Sequence, residues 1–361
     1  MGRERHSMAL AGSVGIAPRM EAVRTLHPAY FALVMATGIV SISTHLMGMP
    51  EVAEALLWVN AAAFVALWAV TLVRMVRFRR EVLADLADHQ RGVGFFTTVA
   101  ATSVFGSQLV VLRDAPGPAL VLWFLTLALW LVLVYAVFTA LTVKDEKPAL
   151  DAGINGGWLV AVVATESVST LASLLAPAFP ARAEVLLFTS VVFWLAGGML
   201  YIWLISLIFY RYTFFKLSPS DLMPPYWINM GAMAIATLAG TLLYASAPLS
   251  PLLTALSPFV LGFTLFFWAT ATWWIPMLLI LGVWRHVLRR FPLTYDPLYW
   301  GAIFPLGMYT ACTFRLAHVV NLPFLLAIPR VVVWVALGAW ILAFVGLLRR
   351  LVRLAVGATP S

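Results

Sequence analysis

Two stripes of hydroxyl side chains, one acid inside an apolar segment and one isolated arginine are the groups in this sequence able to act on a small solute. Thr37, Ser41, Thr44 and His45 recur at i, i+4, i+7 and i+8, which places them on one face of a helix. Thr165, Ser169 and Ser173 make a similar stripe, with Glu166 beside it. Hydroxyls can replace part of a solute's hydration shell, and a carboxyl can carry a proton. Arg315 has the opposite sign and can concentrate anions at an opening. Plainer readings stand beside these. Small residues permit close helix packing, and an arginine at a helix end can extend its head to the lipid headgroups.

The elements holding these groups are apolar. Of 361 residues, 63% are hydrophobic and 11% charged, against about a quarter charged in a soluble domain. A spanning helix needs roughly 20 mainly apolar residues. Ten stretches qualify, near 28–48, 52–74, 95–112, 118–143, 156–176, 184–209, 226–247, 257–284, 299–318 and 327–348. Their Leu/Val/Ala runs lack the dyad alternation of a spanning barrel, so the expected class is an all-α integral membrane protein with ten transmembrane helices. Glu166 is then the only acid at bilayer depth, where a charge costs about 3 kcal/mol on insertion scales. It reads either as a protonatable group coupling H+ to an acid substrate or as a neutral residue tying two helices. Pairing with Arg315 is disfavoured, because Arg315 lies toward the far end of its helix.

Nineteen of the 23 Lys and Arg residues fall on the side of the N-terminus. By the positive-inside rule both termini are expected in the cytoplasm. The net charge of +8 reflects that orientation, and no nucleic-acid partner is expected. Residues 1–25 read as a disordered basic cytoplasmic tail, 26–350 as the transmembrane domain and 351–361 as a cytoplasmic C-terminal tail. Cys312 is the only cysteine, which excludes an internal disulfide and a multi-cysteine metal site. No catalytic residue, metal or cofactor is expected, and a membrane-embedded enzyme is a distant alternative.

An internal repeat organises the spans. Twelve of the 15 tryptophans lie in every second apolar segment, and the other three, Trp158, Trp227 and Trp300, stand at first turns of the segments between. Seven residues after Tyr30, Phe95 and Trp158 come Thr37, Thr102 and Thr165; seven after Trp227 and Trp300 come Ala234 and Gly307. The unit is one helical hairpin used five times in the same orientation, which implies rotation about an axis along the membrane normal. The tryptophan-poor helices would then surround a quasi-fivefold central pore. Thr37, Gly38, Ser41, Thr102, Ser103, Thr165, Ser169 and Gly307 are the expected lining.

The segment from His27 to Ser41, HPAYFALVMATGIVS, resembles the signature of the tellurite-resistance/dicarboxylate transporter family. Trp300–Met308, WGAIFPLGM, is similar to the family's ninth-helix element. The family includes bacterial tellurite-resistance proteins, fungal malate permeases and the plant guard-cell slow anion channel. The resemblance implies a plasma-membrane protein that moves small anions such as C4-dicarboxylates, sulfite, nitrate or chloride. It also implies homotrimers with one pore per subunit, and passive or proton-linked passage. In relatives a phenylalanine of the ninth helix plugs the pore, and the matching residue is Phe304, directly before Pro305. A proton-coupled organic-acid carrier using Glu166 is the alternative.

Overall fold

The computed structural model describes residues 20–355, and every regular element among them is helical. Ten long helices follow in order: α1 (Ala32–Leu46), α2 (Pro50–Arg77), α3 (Phe96–Arg113), α4 (Pro116–Val143), α5 (Val160–Leu175), α6 (Ala183–Phe214), α7 (Ile228–Ala245), α8 (Pro251–Val283), α9 (Trp300–Val319) and α10 (Ala327–Ala355). Nine are long and apolar enough to cross a membrane. The exception is α9, whose Pro305, Tyr309, Thr310, Thr313 and Arg315 dilute its apolar residues. Each odd helix follows directly on a 3-10 turn, the first spanning Pro28–Phe31. Pro50, Pro116 and Pro251 open α2, α4 and α8, where a preset φ helps and the missing N–H costs nothing.

Burial separates the two sets. Between 72% and 94% of the spanning window is buried in α1, α3, α5 and α7, against 17–39% in the even helices. Each odd helix packs along the next, and α9 packs back on α1, so the five close a ring. Each even helix lies on its own odd partner and leans on the odd helix of the following hairpin, with α10 leaning on α1.

The tryptophans are the fasteners of these seams. Trp130 Nε1 donates to Thr165 Oγ1 at 2.8 Å, Trp268 to Thr313 Oγ1 at 3.0 Å and Trp340 to Thr37 Oγ1 at 2.9 Å. Trp194 donates to the Ala236 carbonyl at 2.9 Å. In each case an even helix hands its indole to the odd helix of the next hairpin. An indole N–H in a hydrocarbon environment needs such an acceptor. Trp340→Phe should therefore lower stability by about 1 kcal/mol. Thr37→Val should cost a similar amount and the double variant little more, as read from thermal unfolding in detergent.

At both ends the described residues are helical. Residues 20–24 form a helical turn, held by an Arg24–Glu21 pair, where a disordered tail was expected. The backbone of Arg24 and Leu26 also accepts hydrogen bonds from Arg74 and Arg91. Residues 351–355 continue α10. The remainder of both expected tails, 1–19 and 356–361, lies outside the described residues.

Candidate functional site

Two cavities lie inside the ring of odd helices. The first is near the N-terminal ends of those helices (the tail side) and has a volume of about 320 Å³; the second is on the far side and is much smaller, about 30 Å³. All five odd segments line both, in one register. Ala29, Gly94, Gly157, Pro225 and Leu298 form one level of the tail-side cavity, and Ala32, Thr97, Val160, Ile228 and Gly301 the next. On the far side the levels are Ile39, Val104, Ser167, Ile235 and Met308, then Ile42, Ser107, Thr170, Leu238 and Ala311. The last is Leu46, Val111, Leu174, Leu242 and Arg315.

One level is missing from both cavities. Three residues past Gly301 and four before Met308, the same helical face carries Phe304, with Met35, Ala100, Val163 and Gly231 as its counterparts. These residues are buried, Phe304 at 1% exposure. An apolar belt thus separates the two cavities, and Phe304 is its only aromatic. Pro305 stays within a continuous α9 and removes the bond that residue 305 would give to the Gly301 carbonyl. Its ring packs on Gly231, where an added Cβ would lie 2.6 Å from Pro305 Cγ.

Most of the expected lining faces elsewhere. Of the eight residues, only Ser103 borders a cavity. Thr37 and Thr165 receive indoles from α10 and α4. Ser41 donates to the Ala53 carbonyl of α2 at 2.7 Å, and Ser169 bonds Ser190 of α6 at 2.8 Å. Thr102 donates to Thr98 within its own helix. A Cβ on Gly38 would meet Val104 and Asn60, and one on Gly307 would meet Ile39 and Val40, so both glycines serve helix contact. Small and hydroxyl residues are spent where helices touch, because there they admit close approach and satisfy buried donors. The axial face is mainly aliphatic instead. Its hydroxyls are Thr97, Ser103, Ser107, Ser167 and Thr170, four of which sequence reasoning passed over. The fivefold register of axial positions, once aligned, was the signal that could have found them.

The two charged candidates separate. Arg315 stands in the outermost level of the far-side cavity among four aliphatic side chains, half-buried, and no acidic group among the described residues acts on it. Arg113, at the same end of α3, is instead paired with Glu54. Glu166 is fully buried and borders neither cavity; its carboxyl rests against Gly197 of α6.

The tail-side rim holds a cluster not anticipated from sequence. Asp85 takes Arg74 Nη2 at 2.7 Å and Arg91 Nε at 2.6 Å. Arg91 also borders the cavity, beside Gln90, His27 and Asn155. His27 Nδ1 accepts the Ala29 N–H at 3.1 Å, which assigns the ring proton to Nε2. Burial, followed by the Arg91 charge, pulls the His27 pKa down to about 4, so its ring is neutral at neutral pH.

The sequence profile of the family described as voltage-dependent anion channel matches residues 25–348. The chain belongs to that family. The resemblance read from the His27–Ser41 and Trp300–Met308 segments therefore holds, and the chain is an integral membrane protein. An uncharacterized membrane protein of Mycobacterium tuberculosis is 40% identical over 152 residues, covering 42% of this chain and 77% of that protein. Two uncharacterized transporters of Methanocaldococcus jannaschii are 28% and 26% identical over 300 and 298 residues, each match covering 81% of this chain and 84% of the relative. Voltage-dependent anion channel membership supports anion transport across a membrane and points away from an enzyme.

Proposed function

We propose that this chain is a passive conduit for small anions along the axis of its odd helices, closed at mid-depth by Phe304. The observation that carries the reading is the register of the axial levels, which five helices maintain on both sides of a single apolar belt. A hydrophobic constriction of this kind gates by excluding water.

Electrostatics favour an anion at both ends. All five odd helices begin at the tail side, so their positive dipole ends surround that cavity. At the far side the negative ends are offset by the guanidinium of Arg315, which has no acidic partner among the described residues. The distribution of basic residues supports a cytoplasmic tail side; the plasma membrane is part of the proposal. The path is formed within one chain, which suits a homotrimer with a conduit in each subunit.

Purified protein in liposomes should pass nitrate, chloride, sulfite or malate, and comparing these four identifies the preferred anion. No flux of any of them, under an imposed potential of either sign, would overturn the reading. Arg315→Gln should reduce flux from the far side by about tenfold at low ionic strength. The deficit should shrink as salt rises and screens the charge.

A further inference from the structure

The fivefold register isolates one residue. The position just before the first far-side level is Gly38 in α1, Ser103 in α3, Ala234 in α7 and Gly307 in α9. In α5 it is Glu166. Four repeats put a small side chain where helices meet, and the fifth puts an acid. Neither Glu166 oxygen has a hydrogen-bond partner among the described residues. The room it occupies is made by a glycine: a Cβ on Gly197 would lie 2.3 Å from Glu166 Oε1 and 2.7 Å from its carboxyl carbon. Gly198 serves a different neighbour, Phe267 of α8.

Among the described residues no charge compensates this carboxyl. Of the helices packed against α5, α3 carries only Arg113, at its far end, and α7 only Tyr244, near its far end. The one titratable group of α4, Tyr135, is exposed. On α6, Tyr201 lies one turn from Gly197, but its hydroxyl donates to the Asn229 carbonyl and accepts from Trp274. Glu184, Tyr210, Arg211 and Tyr212 lie toward the ends of α6. A dry carboxyl lacking both cation and donor suits its surroundings only as the neutral acid. The next residue, Ser167, and Thr170, one turn on, border the far-side cavity, which makes it the nearest polar-lined space on the same helix.

We propose that Glu166 is a proton-binding site that controls the conduit, parked in the Gly197 notch when protonated and turned into the far-side cavity when ionised. There its negative charge repels the anions that Arg315 attracts. The control function rests on the conduit reading above; the proton site itself does not.

The test is anion flux in liposomes between pH 5 and 9, paired with infrared spectra of the purified protein. Wild-type flux should fall about tenfold from acid to alkaline pH, by removal of electrostatic attraction. Glu166→Gln should remain high and flat. Gly197→Ala, which takes the notch away, should lower flux at acid pH. The infrared spectrum of the wild type at neutral pH should contain a protonated-carboxyl band that Glu166→Gln lacks. Flat wild-type flux, or pH dependence unchanged in Glu166→Gln, overturns the control role. Absence of the band overturns the proton site. If no anion moves at any pH, even in Phe304→Ala, the conduit reading fails, and the infrared result still decides the proton site.

Discussion

Phe304→Ala should raise anion flux about tenfold or more, equivalent to lowering the barrier by about 1.4 kcal/mol. Phe304 is the only aromatic in the belt that separates the cavities; of its counterparts Ala100, Val163 and Gly231 are small, and only Met35 is another large side chain. Removing the ring therefore opens the belt between the tail-side cavity of about 320 Å³ and the far-side cavity of about 30 Å³. Water then enters, and an anion no longer has to shed its hydration against an apolar wall. Truncating a buried Phe to Ala costs about 3–5 kcal/mol of stability, so flux has to be normalised to folded protein. Phe304→Leu serves as the intermediate case, with a smaller increase and a milder loss. Gated and ungated readings diverge here: unchanged flux in well-folded Phe304→Ala would remove the plug from the mechanism.

Asp85→Ala should be the most destabilising change on the tail side, at about 3–5 kcal/mol, the range for removing one partner of a buried ion pair. Asp85 and Arg74 are 8% and 4% exposed, and Asp85 alone stands between the Arg74 and Arg91 guanidiniums. Those two arginines also hold the Arg24 and Leu26 carbonyls. Losing the acid leaves two cations facing each other and frees the segment leading into α1. A fall in thermal unfolding temperature, read in detergent, measures the effect. Burial works against ionising Asp85, but hydrogen bonds and charge from Arg91 and Arg74 outweigh it and hold its carboxyl below its ordinary range. A lowered carboxylate stabilises the fold above the unfolded value of about 3.9. That contribution is lost as pH falls through the lower folded value. Wild type should therefore show no Asp85-linked change from pH 5 to 8.

Spans and their alternation were legible because apolar length and tryptophan placement respond directly to a membrane. The direction in which each odd helix faces was not. In α1 the axial residues Ala32, Met35, Ile39, Ile42 and Leu46 are as apolar as any lipid-facing stripe, so hydropathy cannot distinguish them. Thr37 and Ser41 looked like lining because they are polar, yet they serve an indole and a backbone carbonyl. Alignment on leading aromatics also slipped. Trp227 and Trp300 stand one residue before the second tail-side level, whereas Tyr30, Phe95 and Trp158 stand two before it. Counting seven from each therefore reached Ala234 and Gly307, while the true counterparts of Thr37 are Met233 and Leu306. Glu166 was conspicuous as an acid, but its turn away from the axis depends on Gly197, a residue on another helix.

The bond from Trp340 to Thr37 joins residues 303 positions apart, and α9 and α10 both rest on α1. During synthesis α1 must therefore wait with an unfilled flank while four hairpins assemble as an open crescent. Contacts between such distant parts of a chain form late and slowly. Closing the ring requires the fifth hairpin, so a nascent chain arrested after α8 should surround nothing.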